Sequence, residues 1–225
     1  MEDPDIDTMP FLAWSEDALE FLSDYSDDAL AKLWISHQPV LLFPLFIFVR
    51  LSWMVSSIIY PVYGNVNMST AALDTMGLAL HYIWQFGLPL LWLGSDRALI
   101  FFITSQGLGG ILLALVFVLN HGGRAVVHKD RDGTKDFYEL QIITSRNIRP
   151  TPFLDWITGG LNYQIEHHLF PTLPRHNYYL VAPFVQEVCA KHQVHYHITT
   201  FREGIFEVLD RLRRVGDLAG KSVST

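Results

Sequence analysis

Between Met76 and Leu93 the chain carries no Asp, Glu, Lys or Arg, and a second such run extends from Ala98 to Leu119. A helix needs about 20 apolar residues to cross about 30 Å of hydrocarbon, and both runs reach that scale. Only Gly94-Ser95-Asp96-Arg97 separates them, so they are expected to cross as an antiparallel hairpin. Gly107, Gly109 and Gly110 give the second helix small residues that let a neighbour approach closely. The turn holds one arginine, whereas Arg124, Lys129, Arg131, Lys135, Arg146 and Arg149 follow His121. Basic residues concentrate on the cytosolic side, which places both hairpin ends there.

The rest of the chain fits a single membrane-associated domain. Half of its 225 residues are hydrophobic and only 17% are charged, with a mean hydropathy of +0.21. A formal charge of −7 excludes a nucleic-acid binder that relies on a basic surface. The single Cys189 excludes an internal disulfide and a cysteine-built zinc site, and fits a reducing environment. Met1 is followed by acids rather than the basic stretch of a signal peptide. We therefore expect a mainly α fold: a membrane protein with a transmembrane hairpin over 76–121, interfacial helices and a cytosolic helical cap.

The acidic segment 1–35 reads as two short helices. Ser15 caps the first and Ser26 the second, each followed by acids that suit a helix N-terminus. Leu19, Leu22, Leu30 and Leu33 supply their apolar faces. Over 38–62, the apolar run from Val40 to Val49 contains Pro44 and is interrupted by Arg50 before Leu51–Tyr60. A central charge is costly in a bilayer, so this stretch reads as an interfacial or re-entrant helical pair. Gly64-Asn65-Val66-Asn67 and Asp130-Arg131-Asp132-Gly133 are turn chemistry. In the cytosolic part, 122–225, Val181–Ala190 reads as an amphipathic helix and Val194–Thr199 as a short strand. The basic tail with Arg211, Arg213, Arg214 and Lys221 is placed to end a helix and touch anionic headgroups.

Two histidine constellations carry chemistry. Gln164-Ile165-Glu166-His167-His168 has the pattern Q-x-x-H-H. On a helix, Gln164 can converge with His167 and His168, and neutral imidazoles suit iron, zinc or copper. His192-x-x-His195-x-His197 is zinc-like, with His195 and His197 on one strand face. With no fourth ligand or acidic residue close in sequence, it reads as solvent-facing. His37, His81 and His128 belong to no constellation.

Asn162-Tyr163-Gln164-Ile165-Glu166-His167-His168-Leu169-Phe170-Pro171, followed by Pro174-Arg175-His176, closely resembles the third histidine box of front-end acyl desaturases. Glutamine at the first position of the box distinguishes these from H-x-x-H-H types. Asp3-Pro4-Asp5-Ile6-Asp7 resembles a family segment just downstream of the second box. Asn120-His121-Gly122 resembles a family Asn-His-Asn element, with Gly122 in place of the usual Asn.

The resemblance implies a membrane di-iron enzyme of the endoplasmic reticulum, with a cytosolic di-iron cap. Such enzymes insert a cis double bond into a fatty acyl chain, phospholipid- or CoA-linked, using O2 and electrons from NADH through cytochrome b5. It implies His121, His167 and His168 as metal ligands, with Gln164 and Asn120 in or beside the coordination sphere. Its nearest likeness is to Δ6 enzymes, with Δ5 fatty acyl and Δ8-sphingolipid desaturases as alternatives. It also places Met1 in mid-domain, with the first two histidine boxes and the haem-bearing cytochrome b5 domain upstream. A catalytically incomplete membrane fragment is the competing expectation.

Overall fold

The computed structural model describes residues 11–19, 29–64, 67–124, 126–127 and 135–221. Asp3–Asp7, Leu22, the Ser26 cap, His128 and the Asp130–Gly133 turn lie outside them. The chain divides into two compact units, one drawn from residues up to Leu41 and from Val116 onward, the other from Leu42–Leu115.

The second unit holds most of the apolar helical sequence. Helix α2 runs unbroken over Gln38–Tyr63 with Pro44 and Pro61 inside it, after the short α1 (Ala29–Ser36). The expected helical pair over 38–62 is therefore one helix. Pro44 removes one backbone hydrogen bond, but the helix continues on either side of it. Arg50 does not break the run either, because its Nη2 reaches Nε2 of His81 at 3.4 Å.

Asn67 starts the next helix, its side chain accepting from the Thr70 N–H at 2.9 Å, the usual N-cap bond. This helix comprises α3 (Met68–Tyr82), a π-helical turn (Ile83–Gly87) and α4 (Leu88–Leu93). Gly94, with φ +76°, turns the chain by itself, and α5 (Ser95–His121) begins at once. A left-handed backbone at that point favours glycine. The hairpin is seen in Gln85 Nε2 donating to Ser105 Oγ at 3.1 Å and in Phe86 against Phe102, centroids 4.7 Å apart. Gly110 is the close-packing glycine: a Cβ there would lie 2.4 Å from the Phe46 carbonyl oxygen of α2.

Three helical stretches, Gln38–Pro61, Met68–Leu93 and Ser95–His121, are long and apolar enough to cross a membrane. Their large side chains face outward, Trp84, Leu91 and Trp92 among the most exposed. Such a surface matches a lipid solvent, in which helices satisfy their own backbone groups.

The first unit is a helical assembly around small cores. Ser15 Oγ accepts from the Ala18 N–H at 3.3 Å, as a cap should. In α1 the buried residue is Ile35, while Leu30 and Leu33 are exposed, which corrects their expected core role. Ile35 packs with Ala13, Val215 and Ala219. The last two belong to α10 (Phe201–Lys221), strongly amphipathic, and longer than a helix end. Gln38 is buried here, donating to the carbonyls of Ala13 at 3.1 Å and Leu212 at 2.9 Å.

Helix α6 (Phe137–Ile143), α7 (Pro152–Ile157), α8 (Gln164–Leu169) and α9 (Tyr178–Lys191) build the remainder, with a 3-10 turn over Arg175–Asn177. The expected strand 194–199 reduces to β2 (Ile198–Thr199), which pairs in parallel with β1 (Asn147–Ile148). Ile142, Ile165, Val185 and Cys189 form the core beneath α8.

Candidate metal centre

Gln164 opens α8 and His168 follows one turn later, so the two share a face. The structure adds His121 and Asn120 from the end of α5. Asn120 Nδ2 donates to the Leu161 carbonyl at 2.9 Å and to Gln164 Oε1 at 2.8 Å. Asn120 is thereby the donor, which fixes the Gln164 amide with its nitrogen turned to the histidines. That nitrogen lies 3.0 Å from His121 Nε2 and 2.9 Å from His168 Nε2. Two imidazole lone pairs therefore converge on one atom, with ring centroids 5.0 Å apart.

The far nitrogen of His168 is held as well. Nδ1 donates to Gln141 Oε1 at 2.5 Å, leaving the lone pair on Nε2. Metal-bound histidines are typically oriented by such a partner on the other ring nitrogen. Gln141 carried no sequence signal; it arrives because α6 packs against α8.

His167 is not brought into this group. Its ring stands at 88° to that of His168, and Nδ1 meets the Tyr178 hydroxyl at 3.1 Å. Successive residues on a helix point about 100° apart, so adjacent histidines on an undistorted turn diverge. Among the described residues, no group of three or more His, Cys, Asp or Glu side chains is placed to hold a metal ion. His121 and His168, held in place by the Gln164 amide, fit a partial donor set for a cation that prefers imidazole nitrogen.

Glu166, inside the motif, holds α8 in place. It is fully buried, accepting from Asn147 Nδ2 at 2.7 Å and the Tyr196 hydroxyl at 2.8 Å. Asn147 Oδ1 in turn accepts from the Ile165 N–H at 2.9 Å. Burial raises the Glu166 carboxyl above its ordinary value, although both donors oppose the shift.

A second buried node fixes the α5 end. The Arg146 guanidinium, 0% exposed, donates to the carbonyls of Leu119 and, at 2.8 Å, Gly122. These are orphan acceptors at a helix C-terminus, where a cation is favoured. Its charge is met by Glu207 at 2.5 Å, and its N–H donates to the Asn120 carbonyl at 3.1 Å. Gly122 has no room for a side chain: a Cβ would lie 2.6 Å from the Val118 carbonyl and 3.1 Å from Trp14 and Val208. That accounts for glycine where the resembling family element carries Asn.

His195 is exposed, but His197 is only half exposed, and its Nε2 meets Glu207 at 3.0 Å. The solvent-facing expectation fails for His197, because an acidic partner far off in sequence reaches it.

Against known proteins, the fatty acid desaturase family profile matches residues 1–200. The chain is 36% identical over 224 residues to the Δ5 fatty acid desaturase fat-4 of Caenorhabditis elegans, covering 97% of this chain and 49% of that protein. It is 31% identical to the Δ6 fatty-acid desaturase fat-3 of the same organism (96% and 49%). It is 34% identical to the Δ8 fatty-acid desaturase of Euglena gracilis (97% and 52%). The chain spans about half the length of the curated relatives it matches. No solved structure matches it. The matched profile and the reach of these relatives across the chain show that it belongs to the fatty acid desaturase family.

Proposed function

We propose that this chain supplies part of the metal centre of a membrane front-end acyl desaturase of the endoplasmic reticulum. Iron with O2 supplies the oxidising power that an unactivated methylene demands and that protein side chains lack. His121 and His168 are the ligands, oriented by Gln164, Asn120 and Gln141. His167, whose Nδ1 meets the Tyr178 hydroxyl instead, is assigned as a further ligand by resemblance alone. The observation that carries this reading is the convergence of His121 Nε2 and His168 Nε2 on one atom. Substrate is a fatty acyl chain entering from the bilayer, and electrons come from NADH through cytochrome b5. Resemblance favours Δ6 chemistry, and relatives named for Δ5 and Δ8 support those alternatives equally.

A second reading is that the isolated chain catalyses nothing; among the described residues His121 and His168 are the two imidazoles that converge. A few histidines do not by themselves hold two irons in a reactive geometry. Both readings are tested by placing this chain in the matching half of the nematode Δ5 relative and expressing the chimera in yeast. The chimera is expected to bind iron and to desaturate fed fatty acids, and the chain alone to hold far less than two irons. His168→Ala in the chimera should abolish product while protein still accumulates in membranes. Full product from His168→Ala would sink the assignment, and full activity of the chain alone would sink the second reading.

A further inference from the structure

The pair His195 and His197 lies apart from the Gln164 centre and shares no residue with it. Its rings are 5.5 Å apart by centroid, with His195 Nε2 and His197 Nδ1 separated by 3.3 Å. That distance is long for a hydrogen bond, whose nitrogen-donor form favours about 2.9–3.0 Å. It equals the span between two nitrogens on one tetrahedral ion: bonds of about 2.0–2.1 Å at the tetrahedral angle give about 3.3–3.4 Å.

The tautomer agrees with that reading. His197 Nε2–H donates to the Glu207 carboxylate, at 3.0 Å from Oε2 and 3.2 Å from Oε1. Its Nδ1 lone pair is thereby presented to His195. Carboxylate, imidazole and metal in that order form a recurrent arrangement that raises ligand basicity and fixes the ring. Burial, then the nearby Arg124 charge, hold the His197 imidazole below its ordinary value against the pull of Glu207. Arg124 opposes any cation here, but its guanidinium is engaged by the carbonyls of Ser145 at 3.0 Å and Ile143 at 2.9 Å.

The backbone holds both histidines before any ion arrives. Helix α9 closes with Gln193 in the left-handed region, φ 58°, and the Val194 N–H donates to the Cys189 carbonyl at 2.9 Å. The closing bond fixes the residue before His195. The His197 carbonyl accepts from the Asn147 N–H at 3.0 Å, tying the other end to β1.

We propose that His195 Nε2 and His197 Nδ1 form a second, surface metal site for zinc or a similar imidazole-preferring divalent cation, with Glu207 as the carboxylate behind His197. Water completes the coordination, since no third His, Cys, Asp or Glu joins the pair among the described residues. Glu207 also neutralises Arg146, so the ion would rest on the node that holds the end of α5.

The test is a zinc chloride titration of the chain in detergent against a chromophoric chelator, counting sites and affinities. His195→Ala and His197→Ala should each remove one zinc relative to wild type, with the far-ultraviolet circular dichroism unchanged. His195 is exposed, so its removal leaves the packed interior intact. Glu207→Gln should retain the site but weaken it about 10- to 100-fold, the usual effect of losing such a partner. His168→Ala, at the other imidazole pair, should leave this zinc in place. Equal zinc number and affinity in wild type and His195→Ala, including no zinc in either, would overturn the proposal.

Discussion

At the scale of single residues, the chain invests its buried charge in holding the two segments that bear the site. Arg146 and Glu207 grip the α5 end, and Glu166 with Asn147 and Tyr196 grips α8. Removing one partner of such a pair leaves the other buried and unpaired. Glu207 is 35% exposed at its side chain, so screening reduces the effect and we expect Glu207→Gln to destabilise the fold by about 1–3 kcal/mol at neutral pH. Burial works against the Glu207 carboxylate, but Arg146 and His197 outweigh it and hold the group below its ordinary 4.5. A carboxyl with a depressed folded value stabilises above its unfolded value, and that contribution is lost as pH falls through the folded one. The stability gap between wild type and Glu207→Gln should therefore be full near pH 7 and shrink below pH 4.5. Urea unfolding of both proteins in detergent across that range measures it. A gap that is constant with pH would show that Glu207 acts by shape alone.

At the scale of elements, the glycines of α5 are not equivalent. A side chain at Gly110 would drive into the backbone of α2 at Phe46 and Ile47, whereas nothing lies within 4 Å of a Cβ at Gly109. Gly110→Val should lower stability by about 1–3 kcal/mol, the usual effect of overpacking. Gly109→Val, one residue on, should be close to neutral. Thermal aggregation of the two variants in detergent, read against wild type, distinguishes them; equal losses would remove the α2–α5 contact from the account. The same helices show what a sequence carries. The apolar stretches of α3, α4 and α5 were legible because an uncharged run is a local signal. Helix α2 reads as a pair in the sequence because Pro44 and Arg50 look like breaks until His81 is seen beside Arg50. At the candidate site, spacing and resemblance lead one to expect Asn120, His121, Gln164, His167 and His168 together; four of them meet, and His167 turns to Tyr178. Gln141, Tyr178 and Glu207 were not legible, because they arrive through packing of helices distant in sequence. Arg146 was counted only as a basic residue marking the cytosolic side, yet its guanidinium is wholly buried against helix-end carbonyls.

At the scale of the molecule, three helical stretches are long and apolar enough to cross a bilayer, and the sequence leads us to expect that two of them cross as a hairpin. Gln38, which opens α2, and His121, which closes α5, belong to one compact unit, where Gln38 bonds to Leu212. With the two ends on the same side of a membrane, the number of crossings between them would be even. Only residues 64–67 join α2 to α3, and only Gly94 joins α4 to α5. The pairings of Gln85 with Ser105 and Phe86 with Phe102 make Met68–Leu93 and α5 an antiparallel pair. We predict that these are the two helices that cross together. Extending the hairpin register sets Tyr82 level with residues 106–108, beside Gly107. Helix α2 touches α5 there through Phe46 and Ile47, and it touches α3 at the same level through Arg50 and Met54. We predict that it packs on the pair without crossing as a third span. We predict that glycosylation acceptors inserted after Asn67 or after Lys135 stay unmodified in endoplasmic reticulum membranes, and that one in a lengthened Gly94 turn is modified. The basic residues after His121 would make the unmodified side the cytosolic one. Modification after Asn67 together with none at Gly94 would mean that α2 crosses in place of the hairpin.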